Sequence, residues 1–346
     1  MSGGPTAVPA YSLPAENRRV LLARRPNGVP QPDDFALDTT AVPEPGPGQF
    51  LVRNIFLSVD PAQRGWASAE ANYSTPVPLG GPMRGLATGV VLRSNDPTVA
   101  EGEFLYGMFD WQDYGVADAS KVLMRLRAAI PLQAAANLHG INGLTAYLAL
   151  TELGRPKAGE TLLVSTAAGG VGSFVGQIGR LLGCRTVGLT GDDGKVARCR
   201  ERYGYAEAFN YRTVDLASSL RGAAPAGIDV YFDNTGGAIL DTALRQMSVR
   251  GRIVGCGTAA TATWTPPPSG PRSEREILTR RLSWSGFVCF DWVDRFEAAA
   301  AELSRRYLAS EIVSDEDVSD GIAHAPGALA EIYAGRNQGK KLIYVG

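Results

Sequence analysis

An apolar run, Leu162-Leu163-Val164-Ser165, passes through the small-residue turn Thr166-Ala167-Ala168-Gly169-Gly170-Val171-Gly172 into a helical pattern, Ser173-Phe174-Val175-Gly176-Gln177. A strand feeding a glycine turn at a helix N-terminus gathers unpaired backbone N–H groups and the positive end of a helix dipole at one point. Such a point binds a pyrophosphate, so the segment predicts a dinucleotide-using enzyme. Gly169 permits the tight turn and close backbone approach, and Gly172 lets the helix pack against the strand. A glycine pattern alone says little; its place after a strand and before a helix carries the weight.

The rest of the chain fits around that unit. With 346 residues, two domains are the natural expectation. Residues up to about Gln133 read as β-rich, with runs such as Phe50–Leu57 and Gly89–Leu92 between turns like Pro43-Glu44-Pro45-Gly46-Pro47-Gly48. Ala134–Leu153 reads as a helix interrupted near Gly140–Gly143. Strands at Thr161–Ser165, Arg185–Thr190, Ile228–Asp233, Gly251–Cys256 and Leu282–Phe287 then alternate with helices at Gly172–Leu182, Lys195–Tyr203 and Ile239–Gln246. That alternation argues a parallel sheet covered by helices. A helix near Asp294–Ala309 and a short strand, Lys341–Val345, follow.

The net charge of −1, with Lys and Arg scattered, points away from nucleic acid and from a membrane surface. Met1–Pro5 shows no basic segment leading into an apolar core, so no secretory signal is expected. The four cysteines, Cys184, Cys199, Cys256 and Cys289, form no close-spaced pair, and a reduced cytoplasmic protein is the simplest reading. A catalytic zinc needs about three Cys, His or carboxylate ligands. The β-rich part contains no cysteine, and the only histidines are His139 and His324, so zinc-dependent alcohol oxidation is not expected.

Which dinucleotide is bound stays open on the residues alone. Asp192 and Asp193 fall about 20 residues beyond the turn, where an acid holds the ribose hydroxyls of NAD. Lys195 follows them closely and is suited to a 2′-phosphate, which two unopposed carboxylates would repel. Asp192 also reads as a plain helix cap.

Several ordered segments carry a likeness to a known family. They are Arg24-Arg25-Pro26-Asn27-Gly28-Val29-Pro30 with Asp34-Phe35, Leu57-Ser58-Val59-Asp60-Pro61 with Arg64-Gly65, and Gly143-Leu144-Thr145-Ala146-Tyr147. The glycine turn, Phe209-Asn210-Tyr211, Phe232-Asp233-Asn234-Thr235-Gly236-Gly237 and Gly335-Arg336-Asn337-Gln338-Gly339-Lys340 complete them. Over nearly its whole length the chain resembles the zinc-free branch of the medium-chain dehydrogenase/reductases that includes prostaglandin, alkenal double-bond and curcumin reductases.

The resemblance implies an α/β fold. A GroES-like catalytic domain (1–133) would be followed by a Rossmann domain (134–303), and the C-terminal segment (304–346) would return to the first. It implies NADPH, with Lys195 and Tyr211 on the 2′-phosphate and Ala168, Gly169, Gly170, Val171 and Gly172 at the pyrophosphate. Thr145, Thr190, Gly191, Asn234 and Asn337 would also contact the cofactor, and Cys256, Gly257, Phe287 and Val288 would run along the nicotinamide side. It implies metal-free hydride transfer to the β-carbon of an α,β-unsaturated ketone or aldehyde, in a homodimer.

Two departures touch the expected substrate pocket. Ala62 stands where the family commonly writes tyrosine in Asp-Pro-Tyr-Met-Arg, and Ala262 stands at or near a second missing tyrosine. Tyr73 is the candidate replacement donor, with Tyr114 behind it; Trp66, Trp111 and Trp264 read first as core aromatics. A quinone reductase, and a non-enzymatic NADPH-binding protein, are the competing functions.

Overall fold

The computed structural model describes residues 16–70, 72–126, 129–261, 264, 266 and 268–346. The chain divides into two compact units: one runs to Gly140 and resumes at Glu316–Gly346, and the other is Ile141–Asp315. The expected seams lay after 133 and 303. The first unit runs on to Gly140 because helix Leu132–Leu138 packs on strands Phe50–Ser58 and Leu86–Ser94, and the second reaches Asp315 because helix Phe296–Leu308 packs on helix Ile141–Ala149.

In the first unit the central strand is Phe50–Ser58, nearly all of it buried. It pairs antiparallel with Leu86–Ser94, Tyr114–Ala117 and Lys340–Tyr344, and the last of these pairs in parallel with Glu316–Asp320. Phe104–Met108 and Val122–Arg125 extend the other side. The C-terminal segment joins the same core: Ile322, Ala325, Leu329 and Ile343 pack with Val20, Leu22, Trp66 and Trp111. Beneath the end of the central strand, Lys340 Nζ donates to Val59 O (2.8 Å) and Asp60 Oδ1 (2.5 Å), and Ser58 Oγ donates to Asp60 Oδ2.

Asp110, just past Phe104–Met108, sits at φ 62°, a left-handed conformation uncommon outside glycine and asparagine. Burial pushes its carboxyl up to about 6, against the opposing pull of the Gly85 backbone N–H and, more weakly, Arg84. The unfolded carboxyl gives up its proton near pH 4, roughly two units earlier. Between pH 4 and 6 the folded state therefore binds more protons, and stability falls as pH rises through that window. Asp110→Asn keeps an acceptor and tolerates the backbone, so it is expected to be about 1–3 kcal/mol more stable than wild type at pH 8. The gain should vanish near pH 4. Urea unfolding at both pH values checks this, and equal stability at pH 8 would count against it.

The second unit is a six-stranded parallel sheet. In chain order its elements are α1 (Ile141–Ala149), β1 (Thr161–Ser165), α2 (Gly170–Leu181), β2 (Arg185–Thr190), α3 (Asp193–Glu201), β3 (Glu207–Asn210) and α4 (Leu216–Ala223). Then come β4 (Ile228–Asp233), α5 (Gly237–Leu244), β5 (Met247–Gly255), α6 (Glu274–Arg280), β6 (Ser283–Gly286) and α7 (Phe296–Leu308). The sheet order is β3-β2-β1-β4-β5-β6. The order reverses direction between β1 and β4, and in such sheets the crevice at the carboxyl ends of the strands is where ligands bind. The interrupted helix expected at Ala134–Leu153 is two helices, Leu132–Leu138 and α1, parted at His139-Gly140, with a wider helical turn at Leu150–Gly154.

Candidate active site

The glycine turn lies at the carboxyl end of β1. Thr166 takes φ 55°, and its carbonyl accepts the Gly169 N–H at 2.9 Å, which folds the chain back before α2 begins. Gly169 is the N-cap, with extended backbone and no side-chain cap. Ser173 N–H returns to Gly169 O (3.0 Å), whereas among the described residues no acceptor takes the N–H of Gly170, Val171 or Gly172. These are the open donors of a helix start.

The space around the turn requires glycine. A Cβ on Gly172 would stand 2.3 Å from Thr166 O and 2.9 Å from Ala167 Cα, and one on Gly170 would stand 2.3 Å from Asn142 Nδ2. Such a cradle fits a pyrophosphate approaching the backbone closely. Ala168 is buried beside it. A residue not singled out from sequence braces the turn from below: the buried Tyr205 donates its hydroxyl to Gly172 O at 2.7 Å. Its ring fills the space that side chains on Gly176 and Gly188 would occupy. Only those paired glycines hint at it in the sequence.

At the carboxyl end of β2, Thr190 is buried and donates its hydroxyl to Asp192 O (3.0 Å). Asp192 is the N-cap of α3, its carboxylate accepting Lys195 N–H at 3.0 Å, and Asp193 Oδ1 accepts from Asn210 Nδ2 at 2.8 Å. Both acids are thus committed to local structure. Tyr211 N–H pairs with Thr190 O, which brings the two strand ends together. A Cβ on Gly191 would lie 2.9 Å from Tyr211 Oη and 3.0 Å from Arg212 Nε. Tyr211 and the Arg212 guanidinium therefore crowd the same glycine, and Arg212 was not a sequence-level candidate.

Past β4, Asp233 is buried and organises the next turn. Its Oδ1 accepts from Tyr231 Oη (2.8 Å), Ser165 Oγ (3.0 Å) and the N–H groups of Thr235 and Gly236. Asn234 ties β4 to β1, donating its side-chain amide to Ser165 O at 2.7 Å. Cys256 and Gly257 both donate N–H to Asp233 O, and a Cβ on Gly257 would press within 2.9 Å of Asn234 O. Beyond β6, the Phe287 ring packs on Trp292 at 5.3 Å, and Val288 N–H reaches Asp291. Cys289 follows, its thiol pushed up to about 11 by burial, with Thr145 of α1 opposing the shift. Thr145 and these strand-end residues thus all lie in the second unit.

Within the first unit, Ala62 opens the short helix Ala62–Ala67. Tyr333, unremarked in the sequence, donates its hydroxyl to Pro61 O at 3.0 Å, with the Arg64 guanidinium 4.7 Å above its ring. Burial pushes the Tyr333 hydroxyl up to about 12, and Tyr73 is near enough to add to that shift. Tyr73 is 58% exposed. Asn337 donates its side-chain amide to Gly339 O (2.7 Å), shaping the bend before the last strand. Trp66 and Trp111 are buried core, as is Tyr114 under the Arg53 guanidinium, whereas Trp264 is exposed. Ala262 lies outside the described residues.

Residues 18–124 match the family model described as the N-terminal domain of oxidoreductase, and residues 170–305 match the one described as zinc-binding dehydrogenase. The chain is 36% identical over 334 residues to the NADPH-dependent curcumin reductase of Escherichia coli (strain K12), covering 95% of this chain and 97% of that protein. It is 34% identical to the NADP(+)-dependent 2-alkenal reductase of Nicotiana tabacum, over 95% of this chain and 97% of the other. The chain belongs to the medium-chain dehydrogenase/reductases. Among solved structures, CurA from Vibrio vulnificus in complex with NADPH superposes with a TM-score of 0.89 at 33% identity, over 95% of this chain and 99% of that one. Within the medium-chain dehydrogenase/reductases this chain groups with the curcumin, alkenal and prostaglandin reductases. Although one model's description names zinc, no group of three or more His, Cys, Asp or Glu side chains is arranged to hold a metal among the described residues.

Proposed function

We propose that this protein reduces the carbon–carbon double bond of α,β-unsaturated ketones or aldehydes with NADPH. The glycine cradle at Gly170–Gly172, in a chain 36% identical to an NADPH-dependent curcumin reductase over 95% of its length, carries the reading. When bound, NADPH supplies a hydride that adds to the substrate β-carbon.

The chain's own residues bind and orient. The N–H groups of Gly170, Val171 and Gly172 hold the pyrophosphate beside Ala168 and Gly169, and Lys195 and Tyr211 hold the 2′-phosphate past Thr190 and Gly191. Thr145, Asn234 and Asn337 would also contact the cofactor, and Cys256, Gly257, Phe287 and Val288 would run along its nicotinamide side. Tyr73 is the candidate donor to the carbonyl oxygen as negative charge grows there. Ala62, lacking a hydroxyl and a ring where the family commonly carries tyrosine, is consistent with a bulkier or differently oriented substrate, or with reliance on another donor.

We further propose a cytoplasmic homodimer. The four cysteines are free thiols. Among the described residues no helix is long and apolar enough to cross a membrane. The six-stranded sheet ends on β6, whose Trp284 is 44% exposed, and we take that edge as the pairing surface.

The test is cofactor consumption against a panel of enones, alkenals and quinones with products identified, NADPH and NADH side by side. The expected result is a saturated ketone or aldehyde formed with NADPH. Hydroquinone as the sole product would make the protein a quinone reductase, and a clear NADH preference would overturn the assignment of Lys195 and Tyr211. In the same assay Tyr73→Phe is expected to lower turnover, and unchanged turnover removes Tyr73 from the chemistry.

A further inference from the structure

We infer that Arg212 is a second cationic ligand of the cofactor's 2′-phosphate and a determinant of NADPH over NADH; the inference rests on the NADPH reading above. A 2′-phosphate carries a charge of about −1.5 to −2 at neutral pH. Lys195 offers one positive charge and Tyr211 none, while the carboxylates of Asp192 and Asp193 stand in the same turn. A site with one cation facing a near-dianion and two acids is under-compensated, and an arginine near the end of the second strand is a general way to accommodate this phosphate.

The geometry supplies that arginine. Arg212 Nε and Cζ come within 3.0 and 3.2 Å of the position a Cβ on Gly191 would take, and Tyr211 Oη comes within 2.9 Å of the same point. The guanidinium lies 5.9 Å from the centre of the Tyr211 ring, so hydroxyl and guanidinium are neighbours. The backbone beneath is fixed: Arg212 N–H donates to Asn210 Oδ1 at 3.1 Å, and Asn210 is itself tied to Asp193. Among the described residues no carboxylate forms an ion pair with Arg212, in contrast to Arg198 and Arg202, which are both bound to Asp315. An exposed guanidinium held over a glycine in this way presents its planar donors to an incoming phosphate.

The experiment is calorimetric binding of adenosine 2′,5′-bisphosphate and adenosine 5′-monophosphate to wild type, Arg212→Gln and Arg212→Lys at low and high salt. Arg212→Gln is expected to bind the bisphosphate about tenfold more weakly at low salt, with a shallower salt dependence, and the monophosphate as wild type does. Arg212→Lys is expected to recover part of the loss. Unchanged bisphosphate affinity in Arg212→Gln overturns the inference while leaving the NADPH reading intact. A wild type that binds both nucleotides equally overturns the NADPH reading itself, and this inference with it.

Discussion

Lys340→Met is expected to lower the stability of the first unit by about 3–5 kcal/mol, a fifth or more of what a typical domain possesses. Both members of the Lys340–Asp60 pair are almost wholly out of solvent, with side chains 3% and 4% exposed. Burial alone drives the lysine's pKa down, opposed by Asp60, so the ammonium is held there by its partners rather than by water. Methionine fills a similar volume but removes the donors to Val59 O and to the Asp60 carboxylate. Among the described residues, Asp60 then keeps only the Ser58 hydroxyl on its side chain while remaining in a low-dielectric site. Removing one partner is costly because it strands the other charge, so Lys340→Met combined with Asp60→Leu should regain much of the loss. With Trp264, Trp284 and Trp292 of the second unit replaced by Phe in all forms compared, urea unfolding followed by the buried Trp66 and Trp111 reports on the first unit. A single variant that loses less than about 1 kcal/mol would show the pair to be dispensable.

Gly172→Ala is expected to weaken NADPH binding about a hundredfold and to cost about 1–3 kcal/mol of stability. The added methyl meets Thr166 O, Thr166 C and Ala167 Cα, all backbone and all within 2.9 Å, so no side chain can turn aside to admit it. Nor is α2 free to slide away, because Tyr205 holds the Gly172 carbonyl from beneath. The first turn of α2 must shift, and its open N–H groups shift with it. Gly222→Ala, in α4, is the matched control: nothing lies within 4 Å of its added Cβ, and alanine favours helix, so stability should rise slightly with affinity unchanged. Fluorescence titration with NADPH compares the two. Wild-type affinity in Gly172→Ala would mean that the turn does not hold the pyrophosphate.

The central strands β1, β2 and β4 were legible to the residue, since each is a short run rich in β-branched, aromatic and apolar residues set between turn and helix signals. Towards the sheet margins the signal faded. Strand β3 is only Glu207–Asn210, and α4 carries two serines and a glycine in eight residues, so neither stood out. Helix Ala325–Tyr333 was hidden by Pro326-Gly327, although proline is permitted in a helix's first turn. In the candidate site, the turn and the strand ends could be placed because local pattern determines them. Tyr205, Arg212 and Tyr333 could not, because what matters about each is a contact made across the fold: Tyr205 under Gly172, Arg212 over Gly191, and Tyr333 on Pro61.

The return of the last strand to the first unit bears on how the protein is made. Asp60 leaves the ribosome 280 residues before Lys340. At about 5–20 residues per second, that interval is on the order of tens of seconds. Throughout it, the Ser58 end of the central strand has no Lys340–Tyr344 to pair with, and Asp60 has no counter-charge. Every strand of the parallel sheet has by then been synthesised, so the inserted unit is free to fold while the unit that began first is still waiting for its final strand. A nascent chain of this protein therefore carries an open sheet edge for most of its synthesis, which is the hazard that chaperones exist to cover.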